Sequence, residues 1–138
     1  MIVLDCSAAV EMVLGTPRGQ AFRCFMLEHK RVIASDLFRA EVRNALWKYV
    51  HAGLFSASHA EVLIEKALDL VDEFVPLEEN AAESFAEAAR QDHPVYDLFY
   101  VTLTRRQAAT LFTADKKLVA LCERLGVNST CEMTLPPL

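Results

Sequence analysis

Four acidic residues each interrupt or end a stretch of apolar sequence: Asp5, Glu41, Asp97 and Asp115. Apolar residues 1–4 run into Asp5, and residues 110–113 lead through one alanine to Asp115. An apolar strand that ends in an acid points a carboxylate out of the strand's carboxyl end, where open α/β sheets keep their sites. Because a lone carboxylate is costly to bury without a compensating cation, these features predict a carboxylate cluster for a divalent metal.

Asp97 is the carboxylate that is hardest to explain as an ordinary surface residue. It is the only charged residue between Pro94 and Thr104, and the surrounding pattern predicts a helix packed on both sides that buries it. The alternative is that Asp97 lies in the first turn of this helix, where the helix dipole favours a negative charge by about 0.3–1 kcal/mol. That gain is smaller than the cost of desolvating a carboxylate, so the pattern favours a functional role.

The other three acids have structural explanations that stay open when each is considered alone. Asp5 or Ser7 could cap the first helix, and Asp115 could cap the last one. Glu41 lies beside the core-facing stripe of its helix, where it could reach a cleft or pair with a neighbouring cation in solvent. Without a shared site, each of the four acids would need a separate structural role. The set as a whole therefore favours one shared site.

The chain alternates short apolar runs with longer helical patterns, which predicts βαβ units and a mainly parallel sheet. Strands are predicted at Ile2–Leu4, Arg31–Ala34, Phe74–Leu77, Thr110–Thr113 and Asn128–Cys131. Helices are predicted at 7–14, 18–29, 38–52, 57–73, 79–91, 95–107 and 116–125, with an irregular tail from Thr134. Because Asp5 and Asp115 must meet, we expect the first and fourth strands to be central.

Bulk composition narrows the class of protein. The 138 residues are 53% hydrophobic and 24% charged, which predicts one globular domain spanning 1–138. The net charge of −5 argues against a generic nucleic-acid coat but allows a nuclease whose metals offset its carboxylates. Scattered histidines and cysteines argue against zinc. With no leader or membrane run, we expect a soluble, cytoplasmic protein with reduced thiols.

Four blocks of the sequence carry a family resemblance: Leu4–Ala8, Ala40–Leu46, Tyr96–Asp97 and Leu111–Asp115. In this order, and across essentially the whole chain, they resemble the motif blocks of PIN-domain ribonucleases, most closely the VapC-type toxins of bacterial toxin–antitoxin pairs. The resemblance implies an α/β three-layer fold, with a central, mainly parallel five-stranded sheet flanked by helices. It also implies an acidic pocket for Mg²⁺ or Mn²⁺ and metal-dependent cleavage of RNA.

The resemblance also assigns residues and partners. The catalytic and metal-binding quartet falls on Asp5, Glu41, Asp97 and Asp115, and the supporting polar groups on Ser7, Asn44 and Thr113. Implied partners are an RNA substrate, a cognate antitoxin that occupies the acidic groove, and often a second copy in a homodimer. Among the basic residues, Arg43 and Lys116 are our predictions for RNA phosphate contacts. Departures such as Cys6, where threonine is common in the family, leave the RNA target open.

Two other functions compete with a metal-dependent endoribonuclease toxin. Another Mg²⁺-dependent phosphoryl-transfer protein would also place aspartates at strand ends, but a haloacid-dehalogenase-like phosphatase needs a second aspartate where Ser7 stands. A PIN-like scaffold that has lost its chemistry and only binds is the second alternative. The four intact carboxylates weigh against it.

Overall fold

The protein is described by a computed structural model that covers residues 1–26 and 30–130. Five strands form one sheet in the order β3-β2-β1-β4-β5, and every neighbouring pair is parallel. The strands are β1 (Ile2–Leu4), β2 (Val32–Ser35), β3 (Glu73–Val75), β4 (Thr110–Phe112) and β5 (Ser129–Thr130). The expected central placement of the first and fourth strands is confirmed, because neither is at an edge of the sheet: β1 pairs with β2 and β4, and β4 pairs with β1 and β5.

Helices cover both faces of the sheet. They are α1 (Cys6–Leu14), α2 (Pro17–Met26), α3 (Phe38–His51), α4 (Ala57–Asp69), α5 (Ala81–Gln91), α6 (Val95–Arg106) and α7 (Lys116–Leu125), with a 3₁₀ turn at Leu77–Glu79. Because successive strand residues point to opposite faces, Ile2 and Leu4 pack in a core with α1 to α4, whereas Val3 packs in a second core with α6 and α7. This arrangement is the predicted three-layer α/β fold. None of the helices in the described ranges has the length and apolarity needed to cross a bilayer.

The helix predicted at 57–73 is too long, and the strand after it is misplaced. Helix α4 ends at Asp69, because the chain must turn to add β3 beside β2. Asp72 fixes this turn: its amide donates to the Val32 carbonyl at 2.8 Å, and its carboxylate accepts from the Val32 amide at 2.8 Å. Pro76, which has no amide hydrogen, follows β3 directly, so the predicted extension to Leu77 is wrong.

The remaining element bounds differ from the predictions by no more than two residues, apart from the end of the second helix. Such differences are normal at frayed ends, where the last turn has few hydrogen bonds. Residues 27–29 of the second predicted helix, Cys131 of the fifth predicted strand and the predicted tail from Thr134 lie outside the described residues.

Helix α2 packs against α1 through Gly19. A Cβ atom placed on Gly19 would lie 1.9 Å from the carbonyl oxygen of Glu11, so the two backbones are in direct contact. We expect Gly19→Ala to lower the free energy of unfolding by about 1–3 kcal/mol, because an added methyl forces α2 away from α1. Urea unfolding measures this loss, and Gln20→Ala, an exposed change on the same helix, should stay within about 0.5 kcal/mol. A wild-type midpoint in Gly19→Ala would refute the contact.

Candidate active site

Asp5 stands where β1 ends and α1 begins. Its extended backbone caps α1, and its Oδ1 accepts from the Ala8 amide at 3.0 Å and from Ser7 Oγ at 2.7 Å. Its Oδ2 accepts from Thr113 Oγ1 at 2.5 Å. Only 5% of the residue is exposed. Asp5 is therefore a helix cap and also a buried carboxylate, so its capping role is confirmed and its role in a shared site stays a prediction.

Ser7 and Thr113 connect the carboxyl ends of β1 and β4. Ser7 Oγ accepts from the Ala114 amide at 2.9 Å, and Thr113 Oγ1 accepts from the Asp115 amide at 3.0 Å. Asp115 in turn caps α7, where its Oδ1 accepts from the Lys117 amide at 2.9 Å. The same hydroxyls that bond Asp5 thus hold the loop that carries Asp115, which brings the two strand-end acids to one edge of the sheet.

Glu41 and Asp97 approach this edge from helices on its two sides. Glu41 lies in the first turn of α3, and its Oε1 accepts from the Tyr100 hydroxyl at 2.6 Å. Asp97 lies in the first turn of α6, with its Oδ2 3.5 Å from His93 Nε2. The expected burial of Asp97 is wrong, since 36% of its side chain is exposed. The core-facing positions of this helix go to Leu98 and its neighbours, and the buried acid of the set is Asp5.

The four acids border one cleft of about 720 Å³. Its lining residues are Asp5, Cys6, Ser7, Val10, Ala40, Glu41, Asn44, Ala45, Lys48, Tyr49, Leu54, Asp97, Tyr100 and Asp115. The predicted supporting residue Asn44 is among them. Arg43 and Lys116, predicted for phosphate contacts, are exposed and lie outside this lining set, and the Arg43 guanidinium donates to the Arg39 carbonyl at 2.7 Å. Among the lining residues given above, Lys48 is the basic one.

Each acid in the cleft affects the pKa of a neighbouring acid. Burial is the main cause that raises the pKa of Asp5 to about 6, and it also raises the pKa of Glu41 and of Asp97. A neighbouring charge adds to each rise: Glu41 acts on Asp5, Asp97 on Glu41, and Asp115 on Asp97. Hydrogen bonds oppose the rise at Asp5 and Glu41, and His93 opposes it at Asp97. The cleft therefore concentrates negative charge that a bound cation would relieve.

The donor chemistry of the cleft fits a hard divalent cation. Carboxylate, hydroxyl and amide oxygens surround it, which are ligands suited to Mg²⁺ or Mn²⁺. Cys6 also lines the cleft, but burial first, and then the charges of Glu41 and Asp5, raise its pKa to about 12. It therefore remains a thiol. Within residues 1–26 and 30–130, no three His, Cys, Asp or Glu side chains are close enough to hold an ion by themselves. Mg²⁺ suits such an open arrangement, because it takes one or two carboxylates and keeps several waters.

Comparison with known proteins identifies the family. The family model of the PIN domain matches residues 2–124. This chain belongs to the PIN-domain family. Ribonuclease VapC12 of Mycobacterium tuberculosis is 35% identical over 133 residues, which are 96% of this chain and 98% of that protein. Ribonuclease VapC3 of Pyrobaculum aerophilum is 28% identical over 122 residues, 85% of this chain and 91% of that protein.

A solved structure supports the fold independently. The crystal structure of PAE2754 from Pyrobaculum aerophilum superposes with a TM-score of 0.68 over 86% of this chain and 82% of that chain. At 21% identity this similarity speaks for the fold alone. The resemblance to VapC-type PIN-domain proteins and the three-layer α/β architecture predicted from the sequence are both confirmed.

Tyr100 is the site residue that the sequence analysis missed. It lies three residues after Asp97, within a run that reads as ordinary helix packing, and it both lines the cleft and bonds Glu41. Burial, followed by the nearby charge of Glu41, raises the pKa of Tyr100 well above its usual range, so the phenol stays protonated and donates. One signal was available in the sequence: a tyrosine in a buried run needs a partner for its hydroxyl, and residues three apart share a helix face.

The raised pKa of Asp5 predicts how the stability of the metal-free PIN domain changes with pH. The folded-state pKa of about 6 exceeds the ordinary 3.8, so the folded protein binds this proton more tightly than the unfolded chain does. Above pH 6, the ionised Asp5 lowers the unfolding free energy. As the pH falls from 6 towards 4, Asp5 becomes protonated in the folded protein and this destabilisation disappears. From about pH 7.5 to about pH 5, we expect the unfolding free energy in EDTA to rise by about 1–2 kcal/mol.

Denaturant unfolding across this pH range tests the prediction. Asp5→Asn should be more stable than the wild type at neutral pH and should show a smaller rise, because Glu41 and Asp97 contribute in the same direction. Wild type and variant following one common curve would show that Asp5 is not the group responsible.

Proposed function

We propose that this PIN-domain protein is a metal-dependent endoribonuclease of the toxin type, which hydrolyses RNA phosphodiester bonds with water activated by Mg²⁺ or Mn²⁺. The observation that carries the proposal is the convergence of four carboxylates, from two strand ends and two helices, on one cleft. Supporting it is the 35% identity, along nearly the whole chain, to a protein named as a ribonuclease.

The residues of the cleft have distinct roles in this proposal. Asp5, Glu41, Asp97 and Asp115 would hold the cation, either directly or through water molecules. Ser7 and Thr113 fix Asp5 and the Asp115 loop through the hydrogen bonds described above, and Asn44 offers a neutral polar group on the α3 side. A divalent cation bound here lowers the pKa of a coordinated water and offsets charge on the phosphate oxygens.

The RNA backbone needs cations of the protein as well as the metal. Lys48 lines the cleft about one turn beyond Asn44 on α3. It can hold a phosphate next to the one that reacts. Arg43 and Lys116, both exposed, are proposed to contact phosphates outside the cleft. With a net charge of −5, the protein has no general attraction for RNA, and productive binding depends on these few positions and on the metal.

The proposed biological setting is a toxin–antitoxin pair. A cognate antitoxin that places an arginine or lysine among the four acids would occupy the metal position and block the cleft, because charge-assisted hydrogen bonds to carboxylates are strong. A homodimer, a cytoplasmic location and the organisation of residues 1–138 as one domain belong to the same proposal.

Cleavage of a panel of structured RNAs tests the function. Purified protein is incubated with Mg²⁺, with Mn²⁺ and with EDTA, and the products are separated by gel electrophoresis. Defined fragments that appear with either metal and disappear in EDTA are expected. Fragments that persist undiminished in EDTA would contradict metal dependence. A protein that binds Mn²⁺ but cleaves none of the RNAs would favour the alternative of a PIN-like scaffold that only binds.

A further inference from the structure

The side chain of Glu41 is held by one hydrogen bond in the described part of the chain. The Tyr100 hydroxyl donates to its Oε1 at 2.6 Å, a distance typical of a strong bond from a hydroxyl to a carboxylate. Tyr100 is only 2% exposed and lines the cleft. Its ring belongs to the core between α6 and the sheet, so the hydroxyl is presented from a rigid base.

The hydrogen-bonding of Glu41 contrasts with that of Asp5. Both carboxylate oxygens of Asp5 accept hydrogen bonds, from the Ser7 hydroxyl and the Ala8 amide on one side and from the Thr113 hydroxyl on the other. Glu41 instead has a long side chain with several rotamers, and its partner comes from 59 residues away. Without that partner, a half-exposed glutamate would sample several rotamers. Metal binding would then have to order the side chain, and the lost conformational entropy would weaken the affinity.

One helix therefore supplies both an acid and the group that orients a second acid. Asp97 lies in the first turn of α6, and Tyr100 follows one turn later on the same side of the helix. The Tyr100 bond engages Oε1, and no bond to Oε2 is recorded within the described residues. The titratable groups that interact electrostatically with Glu41 are Asp97, Asp5, Cys6 and Tyr100. Lys48 lines the same cleft and interacts with Cys6.

We propose that Tyr100 is a positioning residue for metal binding: its hydroxyl fixes Glu41 through Oε1 so that Oε2 is available to a divalent cation in the cleft. The inference rests on the metal-binding part of the proposed function and not on RNA cleavage. A merely structural tyrosine, whose hydroxyl uses Glu41 only to satisfy its own buried donor, would influence stability but not metal affinity.

Calorimetric titration with Mn²⁺ separates these two roles. Tyr100→Phe keeps the ring and removes only the hydroxyl, and it should raise the Kd for Mn²⁺ by about tenfold, as the loss of an outer-shell partner of a metal ligand typically does. The matched control is Tyr96→Phe, which removes a hydroxyl from an exposed position of the same helix α6, outside the lining of the cleft, and should change the Kd by less than about twofold. Circular dichroism melting confirms that each variant is folded. A wild-type Kd in folded Tyr100→Phe would overturn the proposal.

A double-mutant cycle tests whether Tyr100 acts through Glu41. In a Glu41→Gln background, Tyr100→Phe should cause no further change in Kd, because the carboxylate that it orients is already gone. The same loss in both backgrounds would exclude the pathway through Glu41. If Tyr100→Phe does not fold, Tyr100→Met replaces it: this flexible side chain fills much of the space of the ring but has no hydroxyl. A wild-type Kd in that variant would equally overturn the proposal.

The outcomes also distinguish this inference from the proposed function. A wild-type protein that binds Mn²⁺ and cleaves RNA, with Tyr100→Phe binding Mn²⁺ equally well, removes only the role of Tyr100. A wild-type protein that binds Mn²⁺ with the predicted Tyr100 dependence but cleaves no RNA removes the nuclease and keeps the positioning role. Absence of Mn²⁺ binding in the wild type overturns both.

Discussion

Asp97→Asn is expected to reduce metal-dependent RNA cleavage on the order of 100-fold or more, the typical effect of losing one charge-stabilising group at a reacting centre. Asn retains the shape of the side chain but removes the negative charge. It offers a cation one neutral oxygen and an amide nitrogen that cannot act as a ligand. Asp97 also stands between Glu41 and Asp115 in the series of interacting acids, so its neutralisation weakens the attraction for a cation across the whole cleft.

The fold should survive this substitution. The Asp97 side chain is 36% exposed, and its one recorded ion pair, with His93, is 3.5 Å long. The helix-dipole contribution that is lost amounts to about 0.3–1 kcal/mol. It is offset because the variant no longer has a charge that is opposed by burial and by the negative charge of Asp115, the two causes that raise the pKa of Asp97. A variant that is inactive because it is unfolded would therefore contradict the description of this site.

Asp92→Asn is the matched control for Asp97→Asn. Asp92 is exposed, lies outside the cleft and ends α5 with a φ of 50°, a conformation that asparagine tolerates well. The control makes the same chemical change five positions earlier and should keep wild-type cleavage rates. Gel assays of both variants against the wild type measure the difference. Full activity in Asp97→Asn would remove this residue from the active site.

Mn²⁺ is expected to stabilise the protein strongly. A ligand that binds only the folded state at about 100 times its Kd adds about 2.7 kcal/mol to the unfolding free energy. The physical source is the cost of holding charged carboxylates in the cleft: burial first, and then the charge of a neighbouring acid, raise the pKa of Asp5, Glu41 and Asp97. A cation bound in the cleft offsets this cost by attracting the carboxylates. For a chain of this length, the melting temperature should rise by several degrees.

Two controls identify the cleft as the source of this stabilisation. KCl at matched ionic strength screens the carboxylates without binding among them and should reproduce only a small part of the gain. Asp97→Asn should lose most of it. Equal stabilisation by KCl, or an undiminished Mn²⁺ effect in Asp97→Asn, would show that the ion acts elsewhere. Thermal unfolding with and without EDTA provides the measurement and needs no knowledge of the RNA target.

The positions of the acids were predictable because two of them follow apolar strands. The carboxyl ends of parallel strands lie at one edge of a sheet, so a shared site for Asp5 and Asp115 required that their two strands lie close together. The order of β1 and β4 followed from the same requirement. Glu41 was placed correctly on the flank of a packed helix, where it lines the cleft.

Burial within the site was not predictable from local sequence. Asp97 lies in an almost uncharged run, yet it is half-exposed because the first turn of α6 opens onto the cleft. Asp5 is the buried acid, since two hydroxyls, from Ser7 and Thr113, cover it. Thr113 directly follows β4 and is 108 residues from Asp5 along the chain. Such tertiary contacts leave no trace in the periodicity of either segment.

The end of α4 and the start of β3 were likewise not predictable from the local sequence. Residues 70–75 continue the helical hydrophobic pattern well enough to extend the predicted helix to 73. The chain leaves the helix earlier because pairing with β2 recovers backbone hydrogen bonds that a longer helix could not offer at the sheet edge. The Tyr100–Glu41 bond belongs to the same class of long-range contact.

The position of Mn²⁺ in crystals of this protein tests directly whether the four acids form a site for a divalent metal. Diffraction data collected at the manganese absorption edge locate the ion by its anomalous signal, independently of any activity assay. We expect an anomalous peak in the cleft bordered by Asp5, Glu41, Asp97 and Asp115, with carboxylate oxygens and waters around it. A cleft without a peak, at a Mn²⁺ concentration that stabilises the protein or supports cleavage, would contradict it.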